Sequence, residues 1–395
     1  MKIVHINTCN YGSTGGIIRM LIQRTVQLGS DSRISYPDSR LNAKLRTNSD
    51  FVIGNRLARF LHLKLAYFTG YHGCFSYFST YMFLVRLRIF KPDIIHIHNL
   101  HNAYINFNLL FNFIKKHDIS IVWTLHDCWA FTGHCPHYTM VNCFKWQSKC
   151  FDCPQYKEYP ATRIDRSEQM YFYKRDLFTG VKSMILVTPS NWLSQMVGMS
   201  FLKDYKRFVV YNGIDSNVYK PTASDFRKAN GLEGKTIVLG VASLWSNRKG
   251  LNVFIELSQI LDNNFAIVLV GNMANHADDL PDCIYSIPVI DTEQLVRIYS
   301  AADWFLNPSV EETMGLVTVE ALACGTPVLV SDSTAVPEVV DLSCGLVILS
   351  NNSIDYKTAL ESPFTASQDD CIRCARKYNL DAMLNSYMSL YKALI

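Results

Sequence analysis

Two glutamates separated by seven residues, Glu312 and Glu320, lie within NPSVEETMGLVTVEALACGTPVLV, the stretch from Asn307 to Val330. If a strand ends at Asn307, then Glu311 and Glu312 lie at its carboxyl edge. Met314, Gly315 and Leu316 supply the unpaired amides of a helix start, and Glu320 sits just over one turn inside. Such a start suits a phosphate, because its amides lack partners and the helix dipole adds about half a positive charge. A carboxylate beside a phosphate repels it unless it faces hydroxyls instead. Glu312 and Glu320 therefore read as acceptors for the hydroxyls of a sugar and of a ribose flanking a diphosphate. The plainer alternative is an acid-rich first turn. Arg248 and Lys249 follow another strand candidate, where cations can neutralise a departing diphosphate or simply sit in a solvated loop. His126, just beyond a strand end, could offer a neutral imidazole to a sugar hydroxyl. Gly15 and Gly16 leave room for backbone to approach a ligand at a second helix start.

A different chemistry is written in Cys135, Cys143, Cys150 and Cys153, spaced C-x7-C-x6-C-x2-C with His134 and His137 among them. The closing C-x2-C is the half-site that two thiolates need to reach one tetrahedral zinc ion. Structural zinc and free or redox-labile thiols both fit this spacing. All-cysteine ligation would make a closed structural site in an insertion over 134–153, beside His126. Cys371 and Cys374 form an i, i+3 pair with no assigned role. His96 and His98 alternate along a strand without a carboxylate or thiol at useful spacing, and read as core or crevice histidines. From Arg56 to Lys91 six basic and many aromatic residues run without one acid. That pattern suits an anionic membrane surface or an internal helix pair.

The elements that must hold these residues alternate short β-branched runs with longer amphipathic ones, as strand-helix-strand units around parallel sheets do. Lys2–Asn7, Ile94–His98, Ile119–Thr124 and Met184–Thr188 read as buried strands of one doubly wound unit. A second unit restarts at Thr236–Ala242 and continues through Ala266–Gly271, Ile284–Ile290, Trp304–Asn307 and Val328–Ser331. Helices are predicted over Leu251–Leu261, Thr292–Ala301 and Val317–Cys324. Phe208–Tyr211, then Asn212-Gly213 and Pro221, mark a hinge. The periodicity from Cys371 to Leu394 predicts a terminal helix. The expected domains are 1–205, 206–370 and a helix over 371–395.

Composition narrows the classes. Of 395 residues, 49% are apolar and 18% charged, a balance that can bury cores. Residues 1–180 hold 22 Lys/Arg against 11 Asp/Glu, and residues 181–395 hold 16 against 23. A basic first half facing an anionic surface or ligand is expected, but not a nucleic-acid binder. Twelve cysteines and no charged-then-apolar leader predict a cytoplasmic protein. The uncharged run Ala66–Val85 is too polar to predict a membrane span. Neither a G-x-x-x-x-G-K-[ST] loop nor a G-x-S-x-G elbow occurs.

The E-x7-E from Glu312 to Glu320, followed by Ala321-Leu322-Ala323-Cys324-Gly325-Thr326-Pro327-Val328, resembles the signature of family-4 retaining glycosyltransferases of the GT-B fold. Gly15-Gly16, Thr124-Leu125-His126-Asp127, Asn212-Gly213-Ile214-Asp215 and Arg248-Lys249-Gly250 match the same family in the same order, from Met1 to about Val340. The family usually carries a further Arg several residues before the lysine, where this chain has Ala242-Ser243-Leu244-Trp245. The resemblance implies an α/β protein of two Rossmann-like domains facing a cleft, with the last helix crossing back to the first domain. It implies an acceptor-binding N-terminal domain and a nucleotide-sugar-binding C-terminal one. It also implies a hexosyltransferase that retains anomeric configuration and needs no catalytic metal. His126, Arg248, Lys249 and Glu312 would be its catalytic residues, and Gly16, Met314, Gly315, Leu316 and Glu320 would bind the donor. The acceptor would be a glycan or lipid-linked saccharide in bacterial surface polysaccharide assembly, reached by a protein peripheral on the inner face of the plasma membrane. A non-catalytic sugar-binding scaffold or partner subunit with the same fold is the alternative. A hydrolase would need its two carboxylates to flank a glycosidic bond.

Overall fold

Runs of Ile, Val and Leu buried on both faces build the strands, as parallel sheets covered by helices require. The computed structural model describes residues 1–273 and 280–395. Met1–Val210 with Leu384–Ile395 form one unit, and Tyr211–Met383 the other. The first sheet contains β1 (Lys2–Ile6), β2 (Asp31–Pro37), β3 (Phe51–Ile53), β4 (Ile94–Ile97), β5 (Ser120–Thr124), β6 (Met184–Thr188) and β7 (Lys206–Val209). Its order is β3-β2-β1-β4-β5-β6-β7, parallel throughout. The second contains β8 (Thr236–Leu244), β9 (Phe265–Asn272), β10 (Ile284–Ile287), β11 (Trp304–Asn307), β12 (Val328–Ser331) and β13 (Gly345–Ile348). It runs β10-β9-β8-β11-β12-β13, again parallel. Each order reverses once, between β1 and β4 and between β8 and β11. Doubly wound sheets hold their ligands at the carboxyl ends of the strands flanking such a reversal.

Aromatic packing closes the first core: Phe178 lies 4.6 Å from Phe111 and 4.9 Å from Trp123, ring centre to ring centre. In the second unit one apolar cluster holds Tyr299, Phe305, Val319 and Leu322, and another holds Trp245, Phe254 and Leu269. Trp245 is thus a core residue, its indole NH donating to the Val270 carbonyl at 3.2 Å.

Two expectations need correction. The apolar run near Phe208 does not open the second domain: β7 spans Lys206–Val209 and pairs with β6 in the first sheet. The Asn212-Gly213 signal marks the crossover after it, where a Cβ on Gly213 would come within 2.6 Å of the Leu380 Cα. The terminal helix is also broken. Gln368–Ala375 and Leu380–Ala393 are separate helices joined by a 3-10 turn, Arg376–Tyr378. The break at Asn379 frees backbone for Ile214, whose amide donates to the Tyr378 carbonyl at 2.9 Å and whose carbonyl accepts from Leu380 at 3.0 Å.

Candidate functional site

In the second unit, the loops after β8 and β11 flank the reversal and carry most of the residues singled out above. Arg248 and Lys249 end a 3-10 turn, Asn247–Lys249, followed by Gly250 at φ +75°. A Cβ on Gly250 would meet Pro308 at 2.5 Å, so glycine is what lets this turn press against the loop after β11. The Val310 amide then donates to the Arg248 carbonyl, and Arg248 Nη1 donates to the Glu311 carbonyl, each at 2.9 Å. Lys249 Nζ forms an ion pair with Glu312 Oε1, with 21% and 13% of the two side chains exposed. The Ser309 hydroxyl donates to the same oxygen at 3.4 Å. Thr334 fixes the Glu312 backbone from below: its Oγ1 accepts from the Glu312 amide and donates to the Glu312 carbonyl, both at 2.9 Å. The pair is therefore held by backbone clamps on both partners.

The helix Leu316–Ala323 begins at Gly315, which is left-handed at φ +78° and ψ 58°, and no side chain caps it. Its first amides are left for a ligand or water. A Cβ on Gly315 would sit 3.3 Å from Asn307 Nδ2, the group that donates to Thr318 Oγ1 at 2.9 Å. Met314 is buried and its sulfur accepts from the Asn212 amide at 3.1 Å, so only its backbone is available to a ligand. Glu320 takes a hydrogen bond from the Tyr299 hydroxyl at 3.0 Å and another from Tyr219. Burial raises its carboxyl above the usual range, against those two phenols, which favour the ionised form. Neither tyrosine was legible as a site residue, since both come from remote segments and nothing in their spacing points to Glu320.

The first unit holds the histidines. His126 follows β5, and its Nε2 lies 3.0 Å from His98 Nδ1, whose Nε2 in turn lies 3.3 Å from His5 Nδ1. Burial lowers His126 to about 4 and His5 to about 3, and holds His96 and His98 well below the ordinary histidine value. Ring nitrogens of His5, His96 and His98 lie within 4.8 Å of one another. His96, however, is already bonded on both nitrogens, to Tyr391 at 2.6 Å and Thr124 at 2.8 Å, which favours the core reading. His101 bridges Asp127 at 3.0 Å and Tyr159 at 2.9 Å, a polar cluster beside His126 that sequence spacing did not reveal. Gly16 lies inside the helix Gly12–Gln27, which starts at Gly12 rather than after the glycine pair. A Cβ on Gly15 would strike the Asn10 carbonyl carbon at 2.5 Å, whereas one on Gly16 would meet nothing within 4 Å. Gly15 is thus explained by packing, and Gly16 faces open space.

Cys135, Cys143, Cys150 and Cys153 all line one small cavity of about 20 Å³. The helices Arg56–Thr69 and Tyr77–Phe90 carry the basic-aromatic segment, and many of its apolar side chains point outward, with Phe78 76% and Ile89 77% exposed. A groove of about 460 Å³ is lined by Leu61, Leu65, Phe78, Met82 and Arg86, among others. The same helices also bury one face, Ala66 on the first and Phe83, Leu84, Leu87 and Phe90 on the second, the latter four against the first core, so they cap that unit on one side and expose apolar side chains on the other. Among the described residues no helix is long and apolar enough to cross a membrane.

Residues 235–362 match the family model described as glycosyl transferases group 1. The chain is 24% identical to the protein named as glycosyl transferase WcaC of colanic acid biosynthesis in Escherichia coli (strain K12), with 97% of each chain covered. Among solved structures it is similar to sucrose-phosphate synthase from Thermosynechococcus elongatus, with a TM-score of 0.73, 17% identity, and 100% of this chain and 99% of that one covered. It is also similar to HepE from Anabaena, solved in complex with UDP-glucose, with a TM-score of 0.69, 16% identity and full coverage of both chains.

Proposed function

Since this chain is a glycosyltransferase of the GT-B fold, we propose that it moves a hexose, with retention of anomeric configuration, from a nucleoside diphosphate sugar to a glycan or lipid-linked saccharide. The observation that carries this reading is the clamped Lys249–Glu312 pair beside the uncapped helix start at Gly315, at the reversal of the second sheet. A diphosphate seated on the amides of Met314, Gly315 and Leu316 would bring its leaving oxygen to Lys249 and Arg248. The bond from the anomeric carbon to that oxygen breaks as the acceptor hydroxyl bonds the same face of the carbon. The departing phosphate takes the acceptor's proton. Lys249, Arg248 and the amides stabilise the charge that grows on the diphosphate. Glu312 orients a hydroxyl of the donor sugar, and Glu320, steadied by two tyrosines, a hydroxyl of the ribose. Arg248 supplies the second cation in a chain that lacks the family's earlier arginine. His126 binds a sugar hydroxyl, and Gly16 admits a ligand close to the backbone. No step is routed through a metal.

The likeness to a relative named for colanic acid biosynthesis supports a setting in bacterial surface polysaccharide assembly. A panel of nucleotide sugars tests the reaction: one or a few should release nucleoside diphosphate, faster with a lipid-linked saccharide present. Folded protein that releases nucleotide from none of them, with or without acceptor, would overturn it.

The outward apolar side chains among Arg56, Arg59, Lys64, Arg86, Arg88 and Lys91 support a peripheral membrane contact, rings at the acyl boundary and cations at the headgroups. The protein should sediment with vesicles containing anionic lipid, and raising salt should release it as charge is screened. Arg86→Ala with Arg88→Ala should weaken binding roughly thirtyfold, on about 1 kcal/mol per cation near the surface. Binding that ignores both salt and these changes would refute the contact.

A further inference from the structure

The segment between β5 and the helix Ser167–Phe178 runs from residue 125 to 166 with only two short 3-10 turns, Thr139–Val141 and Lys145–Gln147. A run of that length without its own helix or strand inside a compact unit needs something else to order it. Aromatic packing does part of this: Trp146 is buried against Phe131 and Tyr138, with ring centres 4.9 and 5.1 Å apart. The remaining chemistry is sulfur. Cys135, Cys143, Cys150 and Cys153 line one cavity of about 20 Å³, together with Thr132, His134 and Trp146. A volume on the order of 10–15 Å³ suffices for one water-sized occupant.

We propose that these four cysteines hold one zinc ion in a closed structural site. Thiolate sulfur is the ligand that soft tetrahedral S4 sites use, and the closing Cys150-x2-Cys153 gives two sulfurs from one turn of chain. Backbone bonds hold the sulfurs and their neighbours in place. The Gly133 amide donates to Cys150 Sγ at 3.1 Å, the kind of backbone bond that stabilises a metal-bound sulfur. The backbone on either side is fixed as well: the Cys153 amide donates to Asp165 Oδ2 at 2.7 Å, and the Cys135 carbonyl accepts from Thr132 Oγ1 at 2.6 Å. Cys135 and Cys153 are hydrogen-bonded to each other. Lys174 is fully buried and donates to the Trp129 and Thr132 carbonyls. No three of the four sulfurs lie within 4.8 Å of one another, as ring nitrogens of His5, His96 and His98 do. A filled site, with each sulfur about 2.3 Å from the ion and neighbouring sulfurs roughly 3.8 Å apart, draws them further inward.

Elemental analysis of the full chain, purified anaerobically without added metal, chelator or a metal-binding tag, should find about one zinc per chain. Cys150→Ser with Cys153→Ser should abolish it, whereas Cys371→Ser with Cys374→Ser should leave it unchanged. Should the first double variant fail to fold, the wild-type protein settles the matter. Stripped by a strong chelator and titrated with cobalt(II), it should gain the near-ultraviolet sulfur-to-cobalt band and visible bands of a tetrahedral site, saturating at one ion per chain. Four reduced thiols with neither zinc nor that cobalt spectrum would overturn the proposal. So would iron in place of zinc, a Cys135–Cys153 disulfide in protein kept anaerobic, or metal lost only from the Cys371/Cys374 variant.

Discussion

Lys249→Ala is expected to lower turnover by about 10²–10³-fold, the range that loss of one preorganised group facing transition-state charge produces. The argument rests on where the ammonium sits. It is largely shielded from water and paired with Glu312, and its turn is anchored through Gly250 and Val310, so little reorganisation is needed when charge develops on a diphosphate. A cation placed for the departing group should act mainly on kcat, with a smaller change in KM. Glu312→Gln tests the other half. It keeps the shape of the side chain but removes its charge, so on the proposed role a donor hydroxyl would be held less firmly and Lys249 loses its charged partner. Because the two groups touch, their effects should not add: the double variant should be little worse than Lys249→Ala alone. Melting separates chemistry from folding, since each single change breaks a partly shielded pair and should cost no more than about 1–3 kcal/mol. Variants that stay folded at assay temperature with full turnover would remove both residues from the mechanism.

Much of the second unit was legible because its signals are local. Trp304–Asn307 and Val328–Ser331 are apolar runs bounded by breakers, and β11 and β12 fall on them to the residue. The acidic loop and helix start between them follow from those two strands alone. What stayed hidden depends on partners distant in sequence. β2 reads DSRISYP, whose alternating polar residues mask a strand that exists because β1 and β3 flank it. β3 has only three residues and β13 starts on a glycine, too little pattern for either. The hydrogen bonds of Tyr219 and Tyr299 to Glu320, and of His101 to Asp127, are products of folding rather than of spacing. The basic-aromatic helices Arg56–Thr69 and Tyr77–Phe90 were ambiguous for the opposite reason. Apolar residues all round a helix fit burial as well as they fit a bilayer surface, and only exposure separates the two.

Acid should unfold the first unit before the second, with a midpoint near pH 5. Burial lowers His5 and His72 to about 3 and His62 and His126 to about 4, and it pushes His96 and His98 well down too. All six lie in the first unit. In the unfolded chain each ring binds a proton near pH 6.5; in the folded chain His62 and His126 do not until about pH 4, His5 and His72 until about pH 3, and His96 and His98 until well below 6.5. Between those values the unfolded state holds more protons, so stability falls as pH falls, by roughly 1.4 kcal/mol per unit for each independent ring, and flattens below the folded value. His5, His96, His98 and His126 form a chain of contacts, so their protonations are not independent and count for fewer than four. Even three effective rings remove about 5 kcal/mol between pH 6.5 and 5, a large part of the ~5–15 kcal/mol typical of a domain. Asp127 lies outside this window. Burial pushes its carboxyl up, but His101 and the Trp129 amide outweigh that and hold it at about 2, so its contribution is lost only as pH falls through 3.8 towards 2. Hydrogen exchange across pH 8 to 4 reads the prediction directly. Peptides covering β1, β4 and β5 should lose protection before those covering β8 and β11. His62→Gln should flatten the pH dependence of stability by about 1.4 kcal/mol per unit. Protection of β4 and β5 that persists unchanged to pH 4 would mean that these rings titrate as freely in the folded protein as in the unfolded chain.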